Sequence, residues 1–260
     1  MGSNPGIVAP KAHISPEAFA SGELEVIKME QQKFSLPEAD PVATLEDEIA
    51  RLNAFLASLS PTDWEASTRC EGWTIRDMVA HFDSDEAYNE ACLDNTLEAL
   101  AAGFSSIDEF NQRQIQIRAH LSNAEILKQW RTRQARVRKD WEKLGLNAKI
   151  TTIVGRYPLR KQIWHIISEY ATHADDMGVE VPSEAQQPRL TWRFQFSAFA
   201  VQEKKDPPGL EHRDDRVIIA MNQHHLSLSL EDFVAAVSAR LALPQNQEDR
   251  QIIKALRALA

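Results

Sequence analysis

The sequence predicts a mainly α protein: a bundle of four or five helices with a small α+β appendage at its C-terminal end. Three observations carry this. Apolar residues recur at helical spacing in long segments between about 41 and 205, opened by capping residues and closed by Gly or Pro. β-Branched or alternating runs are confined to 148–157 and 216–230. No internal repeat or low-complexity tract interrupts the 260 residues, a length that suits one large domain or one domain with an appendage.

Residues 1–40 read as an N-terminal extension. Pro5, Pro10, Pro16 and Pro37 punctuate them, and only 23–33 has helical character. The bundle is expected over 41–205. Asp40 before Pro41 caps a first helix whose stripe is Ile49, Leu52, Phe55, Leu56 and Leu59; Ser60-Pro61 ends it. Thr74 caps a second, with Asp77 as capping-box partner and Ile75, Met78, Val79 and Phe82 facing inward. That helix is expected to run to about Leu100, ahead of Gly103. A shorter helix at 106–119 precedes a long one from the Ser122 cap to Gly145, with Leu127, Trp130, Val137 and Trp141 on one side. An extended stretch at 148–157 leads to a helix at 158–177, opened by Pro158 and stopped by Gly178. One more helix covers 187–205. Residues 206–260 form a small subdomain: a β-hairpin at 216–230 turning at 222–224, then two short amphipathic helices.

Charge narrows the function. Lys and Arg total 29, Asp and Glu 38, and the net charge is −9. Nucleic acid needs a basic footprint, so this balance argues against it. No run approaches the ~18 apolar residues of a membrane span, and the N-terminus lacks the basic-then-apolar order of a secretory leader. Cys70 and Cys92 are too few for a disulfide framework and are expected as free thiols. The expectation is a cytoplasmic protein, monomer or homodimer, that acts on a small molecule.

The chemistry concentrates on the helix at 158–177. His165, Glu169 and His173 fall at i, i+4 and i+8, on roughly one face. A carboxylate and an imidazole one turn apart converge on a common point. A histidine from a facing helix, His81, completes two nitrogens and one oxygen and leaves a coordination position open, as a catalytic metal requires. Spacing alone is weak support. Glu-x-x-x-His pairs are common on solvated helix faces, and a lone His81 on an apolar helix is more often a hydrogen-bonded polar group.

The run CEGWTIRDMVAHF, 70–82, resembles the Gly-Trp-Thr-Val-Arg-Asp-Leu-Val-Ala-His-Leu signature of the DinB-like superfamily, and within it the mycothiol-dependent maleylpyruvate isomerase branch. The preceding LSPTDWEASTRCEGW and the later FSAFAVQEKK are similar to that branch as well. The likeness extends over about 41–205 and is loose at LSLEDFVAAVSARLAL in the tail. It implies a DinB-like four-helix bundle in which His81, Glu169 and His173 hold a divalent metal, zinc first, with iron or nickel as alternatives. A shifted register would make His165 and Glu169 the pair. HADDMG after the glutamate favours Glu169 and His173, with His165 as a pocket or surface neighbour.

The resemblance also implies a reaction. A metal that binds the thiolate of a low-molecular-weight thiol, such as mycothiol, presents a strong nucleophile at neutral pH. Its addition to an activated double bond permits rotation and elimination, an isomerisation; conjugation to an electrophile makes an S-transferase. Hydrolysis, a specialised biosynthetic reaction on the same site and a non-enzymatic binding bundle are the rival readings. Asp85 and Tyr88, one and two turns past His81, and Trp73 are candidates for the surroundings of the metal. Arg156, Arg160 and Arg193 suit a carboxylate substrate or a charged thiol. Cys70 has no evident base in the sequence and reads as structural, and His224-His225 as a polar pair at the hairpin tip.

Overall fold

The computed structural model describes residues 32–259; the N-terminal extension up to residue 31, with most of the segment expected to be helical, lies outside the described residues. The helices are α1 (Pro41–Ser58), α2 (Ile75–Asp94), α3 (Leu97–Ala101), α4 (Ile107–Ile117), α5 (Asn123–Leu144), α6 (Leu159–Asp176), α7 (Ser183–Gln202), α8 (Leu230–Val237) and α9 (Gln247–Leu256). The strands are β1 (Lys149–Thr152), β2 (Gly155–Pro158), β3 (Gly209–Arg213), β4 (Arg216–Met221) and β5 (His224–Ser229). The fold is mainly α, as expected.

Side-chain caps open α1, α2 and α5. Asp40 accepts from the Val42 and Ala43 N–H groups, and Thr74–Asp77 and Ser122–Glu125 form reciprocal capping boxes. α2 packs chiefly on α5, and α1 on α6. Between them Leu52, Met78, Phe82, Trp130, Ile163 and Trp164 are sealed from solvent. The β1–β2 hairpin links α5 to α6. A second apolar cluster joins Phe194, Ala198 and Val201 of α7 to Leu210, Val217, Phe233, Val237 and Ile252. α7 therefore serves both clusters, since Trp192 and Phe196 belong to the first.

Four elements differ from the sequence reading. α2 stops at Asp94, not near Leu100, because Asn95 takes the left-handed conformation (φ 56°) and its N–H closes on the Ala91 carbonyl. The extended stretch at 148–157 is two strands around a turn with Gly155 at φ 94°. α7 starts at Ser183 with Pro188 inside it; proline reads as a helix start, which hid the first turns. β3 pairs antiparallel with β4 and makes the hairpin a three-stranded sheet; the Pro207-Pro208-Gly209 punctuation masked it.

Candidate metal centre

The opening of α2 is built by its preceding turn. The Trp73 N–H donates to the Cys70 carbonyl at 3.0 Å, and Gly72 between them has φ 79°. A type II turn demands that conformation at its third position, which explains the Gly-Trp pair. The Arg69 N–H donates to the Asp176 carbonyl at 3.0 Å and ties this loop to the end of α6. Loop, α2 and α6 thus hold one another in register.

That register brings three donors together. His81 Nε2 lies 3.1 Å from Glu169 Oε1, and His173 Nε2 lies 3.1 Å from the same oxygen. All three atoms fall within 4.8 Å of one another. Two ligands at ~2.0–2.1 Å from one zinc ion stand roughly 3.3 Å apart at a tetrahedral angle, so the spacing suits a shared divalent cation. Both imidazoles are buried, whereas the Glu169 side chain is 35% exposed. The set therefore opens towards solvent on the carboxylate side. A further observation fits a missing partner. Asp85 Oδ2, 3.6 Å from His81 Nε2, is buried and accepts no hydrogen bond from the described residues.

The electrostatics agree. Burial alone would raise the Glu169 carboxyl, but the hydrogen bonds and charges of His173 and His81 hold it well below the usual carboxylate range. Burial opposes charge on His173 too; Asp176, Cys70 and Glu169 outweigh it and push the imidazole well above its ordinary value. A metal taken up by Glu169 and His173 would have to displace the proton that this pairing favours on the imidazole. Burial, partly offset by His81, pushes Asp85 up to about 7.

His173 is held from behind. Its Nδ1 lies 3.0 Å from Asp176 Oδ2, which leaves Nε2 for the donor set. Asp176 takes both Nε and Nη2 of Arg240, and Cys70 donates to it at 3.3 Å. Cys70 Sγ also lies 3.7 Å from His173 Nδ1 and accepts from Arg240 Nη2 at 3.3 Å. The reading of Cys70 as having no base nearby needs correction: an imidazole and a carboxylate flank it. Cys70, His173 and Asp176 also lie at metal-ligand spacing, but the Arg240 guanidinium already supplies their positive charge.

The other candidates scatter. The Trp73 ring lies over the site, 5.1 Å from His81 and 6.3 Å from His173 between centroids. The Tyr88 hydroxyl accepts from the Ile153 N–H at 3.3 Å and fastens the β1–β2 hairpin instead. His165 lies against Tyr157, Glu203 and Phe196. Each i+4 step rotates about 40°, so two steps turn it well away from His173. Arg156 is exposed on β2 and Arg160 half-buried in the first turn of α6; neither joins the donors. Arg193 pairs with Asp175 on the other side of α6. His224 pairs with Asp249 rather than standing free, and both cysteines are unpaired.

Sequence reasoning missed Asp176 and Arg240. The first had a signal, three residues past His173 within HADD. The second had none, since 64 positions separate it from Asp176.

A family model described as the mycothiol maleylpyruvate isomerase N-terminal domain matches residues 45–178. The chain belongs to this family. The matched segment contains His81, Glu169, His173, Cys70 and Asp176, and ends before α7. Among solved structures, one titled as the mycothiol-dependent maleylpyruvate isomerase is 16% identical, with 65% of this chain and 69% of that one covered and a TM-score of 0.49. A histidine-to-alanine mutant of such an isomerase is 18% identical over the same shares, with a TM-score of 0.47. No curated protein matches the chain. No helix among the described residues is long and apolar enough to cross a membrane.

Proposed function

We propose that this protein is a metal-dependent enzyme of the isomerase or S-transferase kind that uses a low-molecular-weight thiol, mycothiol or a relative, against a small electrophile. Residues 41–205 carry the chemistry, and 206–260 form an appended subdomain. One observation carries the reading: two imidazole nitrogens from different helices converge on one carboxylate oxygen, at ligand spacing, in a member of this family. A divalent ion held there supplies Lewis acidity that favours the thiolate over the thiol. His81 Nε2, His173 Nε2 and Glu169 Oε1 hold it. Asp176 fixes the His173 tautomer through Nδ1. Asp85 Oδ2 is the free acceptor beside the donors, placed to take the proton of an entering thiol. The Trp73 ring covers the two imidazoles and keeps water from that side.

The test is elemental analysis coupled to turnover. The purified chain should carry about one divalent ion, His81→Ala should lose it, and conversion of an electrophile should require added thiol. Metal-free protein prepared without chelators, or turnover indifferent to thiol, overturns the reading.

A further inference from the structure

We propose that the cavity between α6, α7 and α8 binds a small hydroxy or amino carboxylate, at a site separate from the three metal donors. The cavity measures about 390 Å³, and none of His81, Glu169 and His173 lines it. Arg189 and Arg193, one turn apart on α7, share one carboxylate, Asp175. Arg189 is otherwise complete, with Glu48 Oε1 at 2.9 Å and the Ala171 carbonyl at 2.8 Å. Arg193 is not. Its side chain is 10% exposed, and Nη2 makes a long contact of 3.3 Å with Thr172 Oγ1. Its Nε is buried and donates to no acceptor among the described residues. Burial, with the neighbouring Arg189, lowers its pKa despite Asp175 and Glu48.

A second donor stands at the same cavity. Arg69, exposed on the loop before α2, makes no side-chain hydrogen bond or ion pair among the described residues. Arg240 also lines the cavity, but its donors are engaged by Asp176, the Ser238 carbonyl and Cys70. Arg69 and Arg193 thus both line the cavity with guanidinium groups, the donors that suit a carboxylate. Three carboxylates face the same space: Asp175 and Asp176, both tied to arginines, and Glu231 in the first turn of α8. Glu231 disfavours a multiply charged anion and favours a ligand that places a hydroxyl or ammonium donor beside its carboxylate. The volume falls in the range of small-molecule sites.

The inference goes beyond the proposed reaction and stands apart from it. The test is calorimetric titration of the full chain, metal-loaded and chelator-stripped, with L-lactate and L-serine, and with neutral lactamide as control. The expected result is one saturable site for the two acids, the same in both preparations and in His81→Ala, and none for lactamide. Arg69→Ala should weaken binding roughly tenfold. Arg193→Lys, which keeps the charge opposite Asp175 but removes Nε, should weaken it in the same direction. No saturable binding, binding that disappears with the metal, or affinity unchanged in Arg69→Ala overturns the proposal. Loss of metal in His81→Ala is read separately by elemental analysis, so this result and the proposed function fail independently.

Discussion

Asp176 orients His173 without belonging to the donor set, and that division of labour can be measured. On the proposed reading, Asp176→Asn keeps the shape but weakens the acceptor behind Nδ1. Metal affinity should fall about 10–100-fold, the usual effect of losing such a partner. Competition with a chromogenic chelator reads it directly, and an unchanged affinity would rule out the role. Glu86 offers a contrasting residue. It is sealed in the core, where the Tyr170 hydroxyl donates to it at 2.6 Å and Asn89 at 3.3 Å. Burial dominates and raises its pKa above the ordinary value. A carboxyl raised on folding favours the folded state fully below its unfolded pKa of about 4.3, and that contribution is lost as pH rises through the folded value. Glu86→Gln should therefore flatten the decline of stability towards neutral pH. Urea midpoints from acid to neutral pH decide it: parallel wild-type and variant curves would contradict the assignment.

Elements were legible where local chemistry decides them. Asp40, Thr74 and Ser122 all cap the helices expected of them, because a cap is satisfied within three residues. Pairing across distance was not legible: β3 needs β4 to exist, and nothing local marks Pro188 as lying inside α7. The same division runs through the site. Glu169 and His173 share a helix turn and show in the sequence, whereas Arg240 reaches Asp176 only through the tertiary fold. The β4–β5 turn gives an element-scale prediction. Asn222 and Gln223 both have positive φ, 50° and 66°, as a type I′ turn requires. Asn tolerates this; Gln carries a left-handed cost of ~1–2 kcal/mol, against ~0.4–1 kcal/mol of added unfolded-chain entropy for Gly. Gln223→Gly should raise stability by about 0.5–1 kcal/mol in thermal or urea denaturation. A destabilised variant would mean that the turn relaxes out of this conformation in solution.

Across the whole molecule, α7 decides whether the C-terminal subdomain is an independent unit. Its Trp192 and Phe196 complete the bundle core, while Phe194, Ala198 and Val201 complete the core built by the three-stranded sheet, α8 and α9. Lys204 adds polar ties, donating to the Ala255 and Arg257 carbonyls at 2.6 and 2.8 Å. Arg240 adds another by reaching Asp176 behind His173. Removal of residues 206–260 would expose Phe194 and Val201, at ~1.5–3 kcal/mol each, and would take the cation from buried Asp176. Against a net stability of ~5–15 kcal/mol for a typical domain, that loss is large enough to unfold the remainder. The full chain should therefore melt in one transition, with calorimetric and van't Hoff enthalpies equal. On the proposed reading, the chain ending at 205 should lose its cooperative melt and its capacity to bind a divalent ion together. Two resolved transitions, or a truncated chain that still melts cooperatively and still binds metal, would show that the bundle is complete without its appendage and that Arg240 is dispensable to the site.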